Sequence, residues 1–141
     1  MSTRSVITFI TKKSQFRSAE RFSVYMHHDG YPSGMAKAIN NAIPKAWAFS
    51  RFDASEFSAA FIAGNKMFPG GIYLSKGPKA HFDLDYAYDV WFDDKRDALM
   101  IKAMLIDNDK NDKQVFNTLY TGRFDQFITK VKDLDEVDNA A

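Results

Sequence analysis

Hydrophobic and polar residues alternate along two stretches of this chain, Arg21 to His28 and His81 to Asp93. Successive side chains of a β-strand point to opposite faces, so a period of two predicts a strand in each stretch. In the second stretch the apolar positions alternate with aspartates, which predicts one buried face and one acidic face. The carboxylates expected on the acidic face are those of Asp83, Asp85, Asp89 and Asp93.

Other stretches have the composition of strands without the alternation. Ser5 to Lys12 mixes β-branched and aromatic residues, and Ala98 to Ile106 is almost continuously apolar. We expect both to lie inside the sheet, the second covered on both faces. Ile72 to Leu74, between glycine-proline turns, and Gln114 to Thr121 predict two shorter strands. The first strand and the strand at Arg21 to His28 are expected to pair as a hairpin.

Apolar residues at helical spacing predict two helices in the middle of the chain. The first is expected to begin with Ser33 as its N-cap and to break or kink at Pro44, which lacks an N–H. The second begins with Asp53 and Glu56, which have the spacing of a capping box, and Gly64 suits a left-handed stop.

A third helix is predicted from Arg123 to Leu134, with Phe124, Phe127, Ile128 and Val131 on its apolar side. The order of elements favours an α+β fold, with a mainly antiparallel sheet of about five or six strands and two or three helices packed on one face. We expect one domain, residues 1–133 of the 141, because this length closes a single core. The acidic tail, residues 134–141, is expected to fray.

Composition narrows the function classes. The net charge of +1 argues against a nucleic-acid binder that relies on a broad basic surface, and equally against an acidic DNA mimic. The chain has no cysteine, so a reducing compartment is natural and thiolate metal sites are excluded. No apolar run approaches the ~18 residues that span a bilayer, and no signal pattern opens the chain. We therefore expect a cytoplasmic protein that does not enter a membrane.

The stretch from Tyr25 to Gly34 is the main candidate for a functional site. It runs from a predicted strand into a predicted helix through His27, His28 and Asp29, whose side chains can bind metals or transfer protons. Imidazole and carboxylate are common metal ligands. Adjacent histidines on a strand point to opposite faces, however, so further ligands would have to come from elsewhere. The favoured interpretation is a tight turn without metal, and no cofactor is expected.

The acidic strand face also carries Trp91. Its carboxylates have the spacing for a divalent cation or a basic partner, because residues two and four apart share one side of a strand. The favoured interpretation is an exposed face or an edge protected by charge. A tryptophan among carboxylates is also typical of a surface that contacts protein.

The opening Thr3-Arg4-Ser5, together with Tyr25, His27 and Asp29-Gly30-Tyr31-Pro32, resembles a group of small, uncharacterised proteins of bacteriophages and prophages. In that group a Thr-Arg-Ser opening leads through a hairpin into Tyr-x-His-x-Asp-Gly-Tyr-Pro. The segment Asp83 to Tyr88 is similar to a strand of some of its members. The longer, basic segment Lys12 to Arg21 departs from the pattern. The resemblance implies a phage origin and no particular activity.

Two functions from different classes follow as hypotheses. The first is a non-enzymatic phage accessory protein that binds a host or phage macromolecule, most readily a protein, in counter-defence or host takeover. The alternative is a small hydrolase or a nucleotide- or phosphate-binding enzyme with its site around His27, Asp29 and Arg4, whose guanidinium suits a phosphate. The oligomeric state is left open. The candidate binding residues are Arg4, Tyr25, His27, Asp29, Tyr31, Asp85 and Trp91.

Overall fold

The computed structural model describes residues 2–139 of the chain. Their strands are β1 (Ser5–Thr11), β2 (Glu20–Met26), β3 (Ile72–Ser75), β4 (Tyr86–Asp93), β5 (Ala98–Asn108) and β6 (Gln114–Arg123). They form one sheet in the order β3-β2-β1-β4-β5-β6. β1 and β4 run parallel, and every other neighbouring pair is antiparallel.

Three helices, α1 (Pro32–Ala42), α2 (Ala54–Asn65) and α3 (Phe124–Asn139), pack on one side of this sheet. The main core lies between them and the strands. On the other side, a smaller apolar cluster holds only strand and loop residues; we call this side the helix-free face. The predicted α+β class, with a mainly antiparallel sheet and helices on one face, is confirmed.

β1 occupies the middle of the sheet because both of its faces are apolar. Phe9 points to the helices, where its ring centroid lies 5.3 Å from that of Phe57 and 5.4 Å from that of Phe61. Val6 points to the helix-free face and is equally buried. Burying a side chain such as Phe9 contributes about 1.5–3 kcal/mol. The predicted hairpin of β1 and β2 is confirmed.

The start of α1 differs from the prediction that Ser33 is its N-cap. Tyr31 occupies that position, and its side chain makes no capping hydrogen bond to the helix. Pro32 fills the first turn, where a missing N–H costs nothing. The N–H of Ser33 instead donates to Asp135 Oδ1 of α3, at 2.9 Å. The predicted break at Pro44 is confirmed, because α1 gives way to a 3₁₀ turn at that residue.

α2 begins as predicted with Asp53, whose carboxylate accepts from the N–H groups of Ser55 and Glu56. The Glu56 carboxylate accepts from the backbone N–H of Trp47. The predicted left-handed stop at Gly64 is wrong, because Gly64 lies inside the helix. An ideal Cβ there would lie 2.6 Å from the carbonyl oxygen of Asn41, so this glycine lets α1 and α2 approach closely.

β4 begins at Tyr86, five residues later than the alternation predicts. Residues 81–85 form a loop, and Phe82, predicted to be buried, is 92% exposed. The strand begins where the N–H groups of Asp85 and Tyr86 donate to the carbonyl oxygen of Arg4. Asp83 and Asp85 therefore lie outside the strand, and no continuous acidic face forms.

α3 continues to Asn139, past the predicted end at Leu134. The bond from Ser33 to Asp135 and the packing of Leu134 against the core hold this last part in place. Most of the tail predicted to fray is therefore helical. Residues 140 and 141 lie outside the described residues.

Candidate functional site

The turn between β2 and α1 is fixed by backbone geometry. Asp29 adopts a left-handed conformation with φ of 58°. The N–H of Gly30 donates to the carbonyl oxygen of Thr3 at 3.0 Å, and the hydroxyl of buried Tyr88 donates to the Gly30 carbonyl at 2.7 Å. An ideal Cβ at Gly34 would lie 2.0 Å from the carbonyl oxygen of Asp29. The Asp-Gly-Tyr-Pro signature thus describes a joint that ties α1 to β1 and β4.

Tyr31 closes this joint on its outer side. Its hydroxyl donates to Asp29 Oδ1 at 3.2 Å. Burial, followed by the neighbouring Asp29 carboxylate, raises the pKa of Tyr31. The phenol therefore stays protonated and keeps donating at neutral pH.

The two histidines of the turn have different hydroxyl partners, but the prediction that they point to opposite faces is wrong, because both follow the last residue of β2 and their rings meet. His27 Nδ1 lies 2.8 Å from the hydroxyl of Tyr25, and His28 Nδ1 lies 3.2 Å from the hydroxyl of Ser2. The two imidazole rings meet edge to face, with centroids 4.6 Å apart. The Nδ1 atom of each histidine is therefore engaged with a hydroxyl of the protein.

Arg4 turns away from Asp29 and pairs with Asp83 at 2.8 Å. Its backbone N–H donates to Asp85 Oδ2 at 2.9 Å, and its carbonyl accepts from the N–H of Asp85. Asp85 is thus a brace between the starts of β1 and β4. Arg4 and His27 both interact with the side chain of Tyr25, but Asp29, which the hydrolase hypothesis needs beside them, bonds to Tyr31 instead.

Tyr25 is the centre of an aromatic stack on the helix-free face. Its ring centroid lies 4.8 Å from that of Tyr73 and 4.6 Å from that of His81. Burial raises the pKa of Tyr25, with a smaller contribution from Tyr73, while Arg4 opposes the shift. Burial lowers the pKa of His81. Both groups are therefore neutral near pH 7, as suits stacked rings.

A cleft of about 410 Å³ opens beside the turn, between α1 and the segment before β3. We call it the helix-side cleft. His28, Asp29 and Tyr31 line one wall, and Lys37 and Phe68 lie on the others. It brings together part of the predicted site, but Arg4 and His27 do not line it.

A larger cleft of about 780 Å³ lies on the helix-free face, between the sheet and the loop of residues 76–80. We call it the sheet-face cleft. Thr8, Ser23 and Asp89 line it from the strands, and Lys76 and Lys79 line it from the loop. Burial raises the pKa of Asp89, while nearby basic side chains on β2 and β5 oppose the shift. None of the turn residues takes part.

The free edge of β3 forms a third feature. The exposed apolar side chains in β3 and in the segment before it, which we call the edge patch, are Met67, Phe68, Tyr73 and Leu74. Met67 and Phe68 line the helix-side cleft, whereas Tyr73 stacks on Tyr25 on the helix-free face. Leu74 is 69% exposed although it lies within a strand. Such a concentration of exposed apolar side chains is typical of a contact surface.

Trp91 lies near the other end of β4, away from the turn. Lys12 Nζ sits over its ring, 5.3 Å from the centroid. Its backbone pairs with Ile10 and Met100, so the side chain lies on the helix-free face. Trp91 is partly exposed and remains a candidate contact residue separate from the turn.

Sequence reasoning missed the basic residues of the sheet-face cleft and the apolar edge. Lys76 and Lys79 stand on a loop, where no periodic pattern marks them, and Arg21 begins an alternating stretch that does not show which strand residues lie beside it. The one available signal was the pair of lysines around Gly77-Pro78, read only as a turn. Leu74 was placed correctly in a short strand, but its edge position depends on the order of strands, which the sequence does not show.

Among the residues that the structure describes, no group of three or more His, Asp or Glu side chains is arranged to hold a metal ion. Within the same residues, no helix combines the length and the apolar character needed to cross a membrane. No family model, curated protein or solved structure matches the chain. The function has to be argued from the surfaces themselves.

Proposed function

We propose that this chain is a non-enzymatic binding protein that captures an extended segment of another protein by adding it as a strand beside β3. The observation that carries the proposal is the uncharged, exposed edge of β3 with its edge patch. Strand addition of this kind obtains affinity from main-chain hydrogen bonds and specificity from alternate side chains.

The backbone groups that a partner would meet follow from the antiparallel register. His27 donates its N–H to the Gly71 carbonyl, and continuing the register by one pair beyond Met26 and Ile72 sets His27 opposite Gly71. Pairs alternate between bonded and non-bonded along such a ladder. The N–H and C=O groups of Ile72 and Leu74 therefore point away from β2, toward the open edge.

Natural edge strands are commonly protected by charged residues, proline or bulges. β6, at the opposite edge, is largely polar, and its pairing with β5 shifts register between Ala103 and Met104. β3 has the sequence Ile-Tyr-Leu-Ser and none of these devices. Lys66 covers part of this edge, because its Nζ donates to the Ile72 carbonyl at 2.6 Å. A partner's N–H would replace that bond.

Charge at the two ends of β3 defines the partner further. Lys66 lies near its start and Lys76 directly after its end. The matching segment has an apolar centre, to cover Tyr73 and Leu74, and acidic residues on either side. The phage-like signature of the first third of the chain favours a host or phage protein of the bacterial cytoplasm, bound in counter-defence or host takeover.

Proline at position 74 tests the proposal. In Leu74→Pro the lost N–H is one that points to solvent, so the ladder with β2 is kept while strand addition is blocked. Leu74→Ala is the matched control, because it removes the side chain and keeps the N–H. Both variants are used as full-length bait in bacterial host lysate, and retained proteins are quantified by mass spectrometry.

We expect a protein that wild type and Leu74→Ala retain and that Leu74→Pro loses by about tenfold or more, as for about 1.4 kcal/mol of binding. Hydrogen exchange of the complex should show new protection of the amides of Ile72 and Leu74. Equal retention by Leu74→Pro, or capture without protection of those amides, would overturn strand addition.

A further inference from the structure

The sheet-face cleft has the size and lining of a ligand site. Leu74 also belongs to the edge patch, but the polar side chains that line the cleft lie outside that patch. Its volume of about 780 Å³ falls in the range of roughly 300–1,000 Å³ typical of small-molecule sites. Strand residues line its floor and the loop of residues 76–80 forms one side. The floor, the basic rim and the apolar side of the cleft together indicate which ligand it would bind.

The floor presents hydrogen-bonding groups in a single row across three strands. Ser23, Thr8 and Asp89 stand opposite one another in register. The hydroxyls of Thr8 and Ser23 lie 2.7 Å apart and bond to each other. Asp89 is half-buried, with cationic Lys102 as its partner on β5. A carboxylate in this place accepts hydrogen bonds from hydroxyl or amino groups of a ligand.

The rim is basic. Arg21, Lys76 and Lys79 line the cleft, and among the described residues none of the three forms an ion pair. Cations that are not already paired with protein are available for an anionic group. Three of them around one opening favour phosphate over a single carboxylate.

The basic loop is held in place before any ligand arrives. The side-chain amide of Gln114 donates to the carbonyl oxygens of Pro78, at 3.1 Å, and His81, at 2.7 Å. The N–H of Gly77, at φ of 135°, donates to the hydroxyl of Ser75. A loop fixed in this way loses little conformational entropy on binding, which favours affinity.

Apolar and aromatic groups complete the cleft. Phe116 and Met104 supply them from the helix-free face, whereas Phe22, the partner of Phe9, turns its ring to the helix side. A bare phosphate would contact only the basic rim and would be repelled by Asp89. A purely apolar ligand would leave the lysines without an anionic partner. A nucleoside monophosphate has an anionic end, hydroxyl and amino donors, and a flat base that packs on aromatic rings.

We propose that the sheet-face cleft binds a nucleoside monophosphate, with the phosphate at Arg21, Lys76 and Lys79, the base against Phe116 and Met104, and a ribose hydroxyl or base amino group at Asp89. The site shares Leu74 and Lys76 with the surface proposed for the added strand, whereas Arg21, Lys79 and Asp89 belong to the cleft alone. A failed search for a protein partner leaves it untouched.

Isothermal titration of the full chain with AMP, adenosine and inorganic phosphate tests the site. AMP should bind at least about tenfold more tightly than either of its parts. In Lys76→Ala and Lys79→Ala the affinity for AMP should fall several-fold, while Lys95→Ala, in the turn after β4, should match wild type. Circular dichroism confirms that each variant is folded.

Asp89→Asn provides a second readout that general weakening does not produce. The amide still accepts a hydrogen bond but no longer repels a bare anion, so the preference for AMP over inorganic phosphate should narrow. An absence of AMP binding at millimolar concentration would overturn the proposal. Equal affinity for phosphate or adenosine, or tighter binding of a short single-stranded oligonucleotide, would overturn it as well.

Discussion

Two glycines fix the path of the chain at the turn before α1, and their reasons differ. Gly30 lies against β1, where a Cβ would be 2.6 Å from the Ser5 hydroxyl oxygen. Gly34 stands in the first turns of α1, with its α-carbon against the Asp29 carbonyl. The motif Asp-Gly-Tyr-Pro-x-Gly thus records one close approach to the Ser5 side chain and one to the Asp29 backbone.

Gly34→Ala separates helix propensity from this contact. Alanine in a helix interior is favoured over glycine by about 1 kcal/mol, but its Cβ would meet a backbone oxygen that no side-chain rotation can move. We expect a loss of about 2 kcal/mol or more in the free energy of unfolding, measured by urea denaturation. Ser33→Ala is the control and should change stability by less than about 0.5 kcal/mol. Equal midpoints for the two variants would contradict the close packing.

At the scale of elements, periodicity and composition together predicted the six strands and three α-helices of the described residues, but they failed where tertiary contacts set the ends of an element. The alternation continues through Phe82 and Leu84, yet the strand begins at Tyr86 because the Arg4 carbonyl accepts from the amides there. Phe82 is left exposed. A pattern along the chain carries no information about which residue of β1 stands opposite.

The candidate site was predicted in part, for the same reason. The resemblance and the turn chemistry led to Tyr25, His27 and Asp29, which do lie near one another in sequence and space. The sheet-face cleft joins β1, β2, β4 and the loop before β4, and its residues come together only once the strand order is known. Patterns along the sequence therefore predict sites built from neighbouring residues, but they do not predict sites that depend on the order of strands.

We expect the loop of residues 76–84 to respond to pH through His81, whose ring stacks on Tyr25. Burial lowers the pKa of His81, so the unfolded chain binds the proton more readily. The stability from neutral His81 is present above the unfolded pKa, ordinarily about 6.5, and is lost as pH falls through the folded pKa. Hydrogen exchange in this loop should therefore speed up relative to β4 on acidification.

Two charged side chains near His81 modify the shift of its pKa. Asp83 lies close enough to favour the charged imidazole, and Arg4, its ion-pair partner, offsets that attraction. His81→Gln is the control, because an amide keeps a polar side chain without titrating. The same acid-dependent exchange in His81→Gln would assign the effect to another group.

At the scale of the whole molecule, α3 links the end of the chain to the turn near its start. Leu134 packs on the core and Asp135 accepts from the backbone N–H of Ser33 at the start of α1. A carboxylate in the first turn of a helix also interacts favourably with the helix dipole. The last helical turns therefore belong to the domain and hold α1 against the sheet.

Removal of residues 134–141 measures that contribution. We expect the shortened chain to lose about 1–3 kcal/mol of unfolding free energy, from one hydrogen bond to a charged group and part of one leucine side chain. Thermal and urea unfolding of both lengths provide the measurement. Asp135→Asn should keep most of the stability, since its amide oxygen still accepts from Ser33. Unchanged unfolding of the shortened chain would show that the tail is dispensable.

The single parallel pair, β1 with β4, has a consequence for synthesis of the protein. β2 can pair with one edge of β1 soon after it is made, but Ser5 on the other edge waits for Tyr86. Until β4 leaves the ribosome, β1 presents an uncharged edge with Ile7 and Phe9 beside it. Nascent chains with such an edge are prone to aggregate. Slow translation or missing chaperones should therefore harm the yield of this protein more than its final stability would indicate.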